Sequence, residues 1–213
     1  MFCSRIAELQ AHVSPTEPLA SRRDLIDLVA QIAPAPLRAA AEELDDATCR
    51  AAMSDYRSGA DTESPRSFFA RVLLAPEVAS DAVSEPGTAA AHGAPDTCPR
   101  CDHAAQVGCL RTSGDGTSLS LVCSLCLAEW AYVRDRCPAC RSSDDRQLEW
   151  YRSEDLPWLQ VRACIECQRY LNVVSHAIEP LAVADIDEIA ALPLDVWARE
   201  HGYTKLRPNL VGI

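Results

Sequence analysis

Lysine is nearly missing from the chain: Lys205 is the only one in 213 residues, and aromatic side chains make up just 6%. Bases number 20 against 31 acids, for a formal charge of −11. Such a balance gives no electrostatic reason to seek phosphate backbones or anionic lipid. No run approaches the roughly eighteen apolar residues of a membrane-spanning helix. The amino end also lacks an apolar leader core, since Met1–Gln10 carries Arg5 and Glu8. Ser21-Arg22-Arg23 has the look of a twin-arginine export signal, but Asp24 and Asp27 break the uncharged stretch it needs. The expectation is a cytoplasmic chain, in which thiols persist for metals or redox chemistry rather than for structural disulfides. Large apolar residues are scarcer than the 48% hydrophobic fraction suggests, because 33 alanines and 11 cysteines fall within it. The core should be modest and partly helical.

What the chain does have changes character near residue 97. Before it, Leu25, Ile26, Leu28, Val29 and Ile32 recur at helical spacing after Ser21 and stop at Pro34. Pro36 suits the first turn of a second helix through Leu37, Ala40, Ala41, Leu44, Ala47 and Ala51, ending near Gly59. Ser64-Pro65 opens a third, with Phe68, Phe69, Val72 and Leu73 on one side and Pro76 as its end. Residues 80–96 are rich in Ala, Gly, Ser and Pro without periodicity and read as a linker. Beyond Asn172 the chain turns helical again. Asp185 or Asp187 can cap a short turn, Pro193 can begin a helix through Val196, Trp197 and Ala198, and Gly202 suits its end.

Between these helical parts lie nine of the eleven cysteines, among short alternating runs such as Ser118–Val122 and Leu148–Arg152. Eight form four Cys-x-x-Cys pairs: Cys98 with Cys101, Cys123 with Cys126, Cys137 with Cys140, and Cys164 with Cys167. The gaps between pairs run long, short, long, which is an internal repeat with Cys-Pro-x-Cys leading each unit. Two residues between thiolates let one tight turn aim both sulfurs at a single tetrahedral ion, and backbone N–H groups in the turn offset part of their charge. A second turn, returned by a β-hairpin, completes a closed cage with no open position for a substrate. Zinc and iron suit such a cage equally on spacing alone. Sequential pairing follows the repeat; pairing of the first knuckle with the third and the second with the fourth stays open.

Other readings are weaker. Four local disulfides fit neither the compartment nor the missing leader. No knuckle clearly opens a helix after a strand, as a thioredoxin-like motif requires, and no three cysteines crowd together as in ferredoxins. Cys3, Cys49 and Cys109 have no partner at ligand spacing and read as small buried hydrophobes. His103, although near a knuckle, reads as a supporting side chain. Trp130, Tyr132, Trp150, Tyr151 and Trp158 could stack bases, but nine arginines against ten acids over 98–170 favour rings that fill a small metal module.

Taken together, certain residues resemble a known family. They are Leu121-Val122-Cys123-Ser124-Leu125-Cys126 with Glu129-Trp130, then Arg134-Asp135-Arg136-Cys137-Pro138-Ala139-Cys140, and Cys164-Ile165-Glu166-Cys167-Gln168-Arg169-Tyr170-Leu171. With the tail from Ala184-Asp185-Ile186-Asp187 to Leu194-Asp195-Val196-Trp197 and Gly202-Tyr203, they resemble the formate dehydrogenase accessory protein family, FdhE. The resemblance covers about residues 65 to 213. It departs where Asp102 and Arg141 stand in place of a glycine common in the family, and in a shorter region before the first knuckle.

The resemblance implies a cytoplasmic, non-enzymatic helper in the maturation of formate dehydrogenase, contacting the catalytic subunit. It further implies tandem rubredoxin-like modules associated with iron. Carried over, Cys98, Cys101, Cys123 and Cys126 would hold one ion, and Cys137, Cys140, Cys164 and Cys167 the other. The expected fold is α+β: an N-terminal helical domain over 1–79, the linker over 80–96, four-cysteine modules over 97–133 and 134–171, and a helical tail over 172–213. A rubredoxin-like electron carrier is the alternative function, and a zinc-ribbon nucleic-acid module a weaker one. With closed metal sites and no acid–base constellation, the chain should act by binding. The candidate surface comprises the loops between knuckles, with Arg134 and Arg136, and the C-terminal helix from Asp185 to Trp197.

Overall fold

The computed structural model describes residues 5–6, 8–9, 11–60, 64–80 and 95–209. Cys3 and residues 81–94 of the expected linker lie outside them. The described residues fall into two compact units, one on each side of that stretch.

The first unit is helical. After a 3-10 turn at Pro18–Ser21 come α1 (Arg22–Ile32), α2 (Ala35–Glu42), α3 (Asp46–Ser58) and α4 (Pro65–Ser80). One expected helix is thus two. The Asp45 carboxylate accepts the Thr48 N–H at 2.7 Å as an N-cap, while Arg22 takes the Leu44 carbonyl at 2.6 Å. A cap that satisfies an orphan N–H outweighs the alanine-rich continuation. Gly59, at φ 75°, ends α3 in the left-handed conformation. Pro76 does not end α4: it lies inside the helix, one turn from its close. It has no N–H to donate to the preceding turn, but its fixed φ is helical, and near the end of a helix that is tolerated. Phe68 to Leu74 are all buried, so the middle of α4 is covered all round rather than along a stripe.

The second unit is one mixed sheet. Its strands are β1 (Ala105–Ser113), β2 (Gly116–Cys123), β3 (Glu129–Tyr132), β4 (Leu148–Arg152), β5 (Leu159–Cys164), β6 (Arg169–Ser175) and β7 (Thr204–Lys205). The order is β3-β2-β1-β6-β5-β4, with β7 against β6. Knuckle, hairpin, knuckle, strand occurs twice, as β1–β2–β3 and as β4–β5–β6. The two halves join where β1 runs parallel to β6, with Val107 opposite Asn172 and Leu110 opposite Ser175. At this seam a Cβ on Gly108 would stand 3.1 Å from Val173 and 3.3 Å from Leu119, a tight fit that glycine relieves.

Two short helices follow, α5 (Ala184–Ala190) and α6 (Leu192–Glu200). Leu194 and Ala198, with Ala191, pack with Val107, Val161 and Val174 of the sheet. Asp187, not Asp185, supplies the carboxylate at the start of α5, accepting the Val183 N–H at 2.7 Å and the Trp158 indole N–H at 3.1 Å.

Candidate metal centres

Each knuckle is the same turn. The N–H of its first cysteine reaches the carbonyl five residues on: Cys98 to His103, Cys123 to Ala128 and Cys137 to Ser142, at 2.8–2.9 Å. Cys164 faces Arg169 across the β5–β6 ladder at the same offset. Within the turn a backbone N–H points at the first sulfur, from Arg100 to Cys98 (3.4 Å), Leu125 to Cys123 (3.3 Å) and Ala139 to Cys137 (3.4 Å). These donors stabilise thiolate rather than thiol.

The hairpins then bring the knuckles together in sequential pairs. Cys98, Cys101, Cys123 and Cys126 form one group and Cys137, Cys140, Cys164 and Cys167 the other, each with its sulfurs within 4.8 Å of one another. In the first group Cys101 lies 3.4 Å from Cys123 and 3.6 Å from Cys126, and Cys98 lies 3.6 Å from Cys126. In the second, Cys137–Cys167 is 3.8 Å and Cys140–Cys164 is 3.7 Å. Four sulfurs about 2.3 Å from a tetrahedral ion stand about 3.8 Å apart along each edge. A disulfide would need about 2.05 Å, and these cysteines are free. The donor set and spacing fit one ion per group.

The two groups differ in their surroundings. Cys98, Cys123 and Cys126 are buried and Cys101 half-buried, whereas Cys140 of the second group is exposed. In the first group, hydrogen bonds from Cys101, Cys123 and Cys126 hold the Cys98 thiol far below its ordinary range. Cys126 is drawn down to about 7 by Cys101 and Cys123. In the second, burial pushes Cys137 up. At Cys164 burial is outweighed by the backbone N–H of Cys167 and the Cys140 side chain, and the thiol is lowered. Cys101 and Cys123 are raised in the same network, as Cys167 is in the second, so each group shares its protons as a set that a bound ion would displace.

Of the other cysteines, Cys49 and Cys109 are fully buried, and burial pushes both thiols up to about 11. His103 is no part of either group; its Nδ1 lies 2.9 Å from the Cys101 carbonyl. Trp130 and Tyr132 are buried beside the first module, the indole donating to the Pro95 carbonyl at 2.9 Å and the phenol to Asp96 at 2.7 Å.

The candidate partner-binding residues fall in two places. Arg136 pairs with Asp96 at 2.7 Å, and Arg141 reaches the same carboxylate at 3.0 Å, so Asp96 ties the first module to the third knuckle. Arg134 is exposed, donates to Thr117 at 3.0 Å and lies over the Trp150 ring at 5.4 Å. Asp185 is half-buried in the first turn of α5. Trp197 packs its ring on Tyr151 at 4.4 Å and His201 at 4.3 Å. No bond or ring contact among the described residues joins the arginines to Asp185 or Trp197.

Two features gave no signal at ligand spacing. One is the fully buried pair Glu188 and Asp195 around Lys205, joined by Tyr170 and Asn172, each 2.8 Å from Asp195. The other is Arg162, buried beside the second group in a recess of about 10 Å³ with Cys137, Cys164, Arg169 and Leu206.

No family model matches the chain. The FdhE homolog of Aquifex aeolicus is 32% identical over 116 residues, which are 54% of this chain and 41% of that one. That of Stutzerimonas stutzeri is 35% identical over 116 residues, 54% and 37% of the two chains. The crystal structure of the FdhE protein from Pseudomonas aeruginosa superposes with a TM-score of 0.70 at 24% identity, covering 96% of this chain and 73% of that one.

The chain is similar to FdhE proteins. The superposition shows that this chain and the FdhE crystal structure share a fold. The matched part spans less than half the length of these two curated relatives. Among the described residues no helix is long and apolar enough to cross a membrane.

Proposed function

We propose that this chain is a metal-carrying accessory protein for formate dehydrogenase maturation, acting in the cytoplasm by binding the catalytic subunit. The observation that carries the reading is the pair of closed four-sulfur groups on one shared sheet, in a chain similar to FdhE proteins. Cys98, Cys101, Cys123 and Cys126 hold one ion, and Cys137, Cys140, Cys164 and Cys167 the other. Iron is the favoured metal and zinc the alternative. With four thiolates on each ion the metals have no open position, so they hold the shape of the binding surface rather than transform a substrate.

Deletion of the gene tests the reading. Formate oxidation should fall with a drop in active catalytic subunit, and tagged protein should retain that subunit. Unchanged formate oxidation would sink it. The client surface is tested by Arg134→Ala, because the exposed side chain meets Thr117 and the Trp150 ring, neither of them buried. Lost client retention at full metal content supports the knuckle loops as the surface; unchanged retention removes Arg134 from it.

The exposed Cys140 favours a second reading, electron transfer, since an exposed ligand sulfur shortens the path to a partner. Iron in four thiolates is coloured and redox-active, whereas zinc is neither. A colourless protein after anaerobic purification excludes the electron carrier and leaves the accessory role standing.

A further inference from the structure

We infer that Arg162 is the counter-charge of the Cys137–Cys140–Cys164–Cys167 group and sets its metal apart from the one in the first group. The inference rests on the metal-carrying function above. Arg162 is 3% exposed, yet no carboxylate among the described residues pairs with it. Its Nη2 donates to the carbonyls of Arg134 at 2.9 Å and Arg136 at 2.5 Å. Its guanidinium lies 5.7 Å from the centre of the Trp150 ring. Its Nε is buried without a partner. Carbonyl dipoles and an aromatic face do not neutralise a buried cation, and leaving one unpaired costs several kcal/mol.

Groups near enough for their negative charge to act on it include Tyr132, Cys137 and Cys164. Tyr132 is buried and donates its proton to Asp96, so it remains a phenol. Cys137 and Cys164 remain, and they share the small recess with Arg162. Four thiolates on a divalent ion carry a net charge of −2, which is the anion this cation lacks. Among the described residues of the sheet unit, the other buried arginine or lysine is Lys205, which is held by Glu188 and Asp195. At the first group the buried neighbour is His103, whose ring contacts a carbonyl.

The sign follows from charge. Arg162 stabilises the loaded group relative to metal-free thiols. With iron it stabilises the ferrous form, net −2, over the ferric form, net −1, and so raises the reduction potential of the second site. Arg162→Gln keeps hydrogen-bond donors and removes the charge, and Arg162→Lys restores the charge. The first group serves as the internal reference in the same full-length chain.

In iron-loaded protein, a potentiometric titration of the visible absorption should show one of two components lowered by about 60 mV in Arg162→Gln, the equivalent of tenfold for one electron. The other component should not move, and Arg162→Lys should return the first towards wild type. In zinc-loaded protein, a chelator should withdraw one of the two ions about tenfold faster from Arg162→Gln, a typical effect of removing an outer-shell partner. Unmoved potentials with unchanged zinc release would overturn the inference, as would equal shifts in both components or a Lys variant that behaves like the Gln variant. If Arg162→Gln does not fold, wild type supplies the test: the Arg162 Nε–H resonance should shift and gain protection on zinc loading, and an unchanged resonance overturns the inference. Failure to hold any metal sinks the metal-carrying function itself. Two ions held with no effect of Arg162 sinks only the counter-charge.

Discussion

The residue after the second cysteine of every knuckle is left-handed: Asp102 at φ 61°, Leu127 at 57°, Arg141 at 68° and Gln168 at 57°. The turn must reverse there for the first cysteine's N–H to meet the carbonyl beyond, and none of the four is glycine. A side chain in this conformation costs about 1–2 kcal/mol. Three offset the cost with a bond: Asp102 accepts from Thr97 at 2.5 Å, Arg141 reaches Asp96 at 3.0 Å and Gln168 donates to the Ile165 carbonyl at 2.6 Å. Leu127 is 47% exposed and makes no such bond. Leu127→Gly relieves the strain at the expense of some unfolded-chain entropy, so stability should rise by about 0.5–1 kcal/mol. The check is the denaturant midpoint of zinc-loaded protein; Leu127→Ala keeps the strain and should show no gain. Thiol chemistry at this scale separates the cysteines as well. With pKa near 11, Cys49 and Cys109 are almost wholly thiol at pH 8. Mass spectrometry after alkylation at that pH should find both unmodified in folded protein, even when chelation opens the knuckles to the reagent.

Among the elements, β7 has a larger role than its two residues suggest. It pairs with β6 directly after the fourth knuckle: Thr204 N–H reaches the Gln168 carbonyl and Leu206 N–H the Tyr170 carbonyl, both at 2.8 Å. On its other side Lys205 holds Glu188 of α5 and Asp195 of α6. The strand thus ties the C-terminal helices to the turn that carries Cys164 and Cys167. Lys205→Met leaves two buried carboxylates without their cation and should cost about 3–5 kcal/mol. Hydrogen exchange should quicken at Thr204 and Leu206, and zinc should leave the second group before the first. Equal loss from both groups would refute the link. None of this was legible in the sequence, because a lone lysine carries no signal of the acids it will meet. The knuckles were legible for the opposite reason: their bonds close within five residues, and the hairpins that pair them are local. The break at Asp45 carried a local signal too, the Asp-x-x-Thr cap, masked by the alanine pattern around it. The β1–β6 pairing joins residues more than sixty apart, and only Gly108 marks it, as a small residue inside a strand.

For the sheet unit as a whole, that pairing decides how the two four-cysteine groups depend on each other. Two independent modules would each fold around their own ion, since metal-binding free energy is folding free energy in so small a unit. Here β1 and β6 lie side by side at the centre of one sheet, and Val107, Cys109, Val161 and Val174 belong to one apolar cluster. Loss of one ion should therefore weaken the other half without emptying it. Cys101→Ser removes a sulfur that lies within 3.6 Å of both Cys123 and Cys126 and belongs to the first group alone. Native mass spectrometry of zinc-loaded Cys101→Ser should find one ion, where wild type carries two. The remaining ion should sit on the second group, and its release to a chelator should be faster than from wild type, because the shared sheet has lost one of its supports. Two ions in the variant would mean that three sulfurs suffice. Loss of both would make the sheet a single all-or-none unit. Release of the second ion at the wild-type rate would show that the seam passes no stability between the halves.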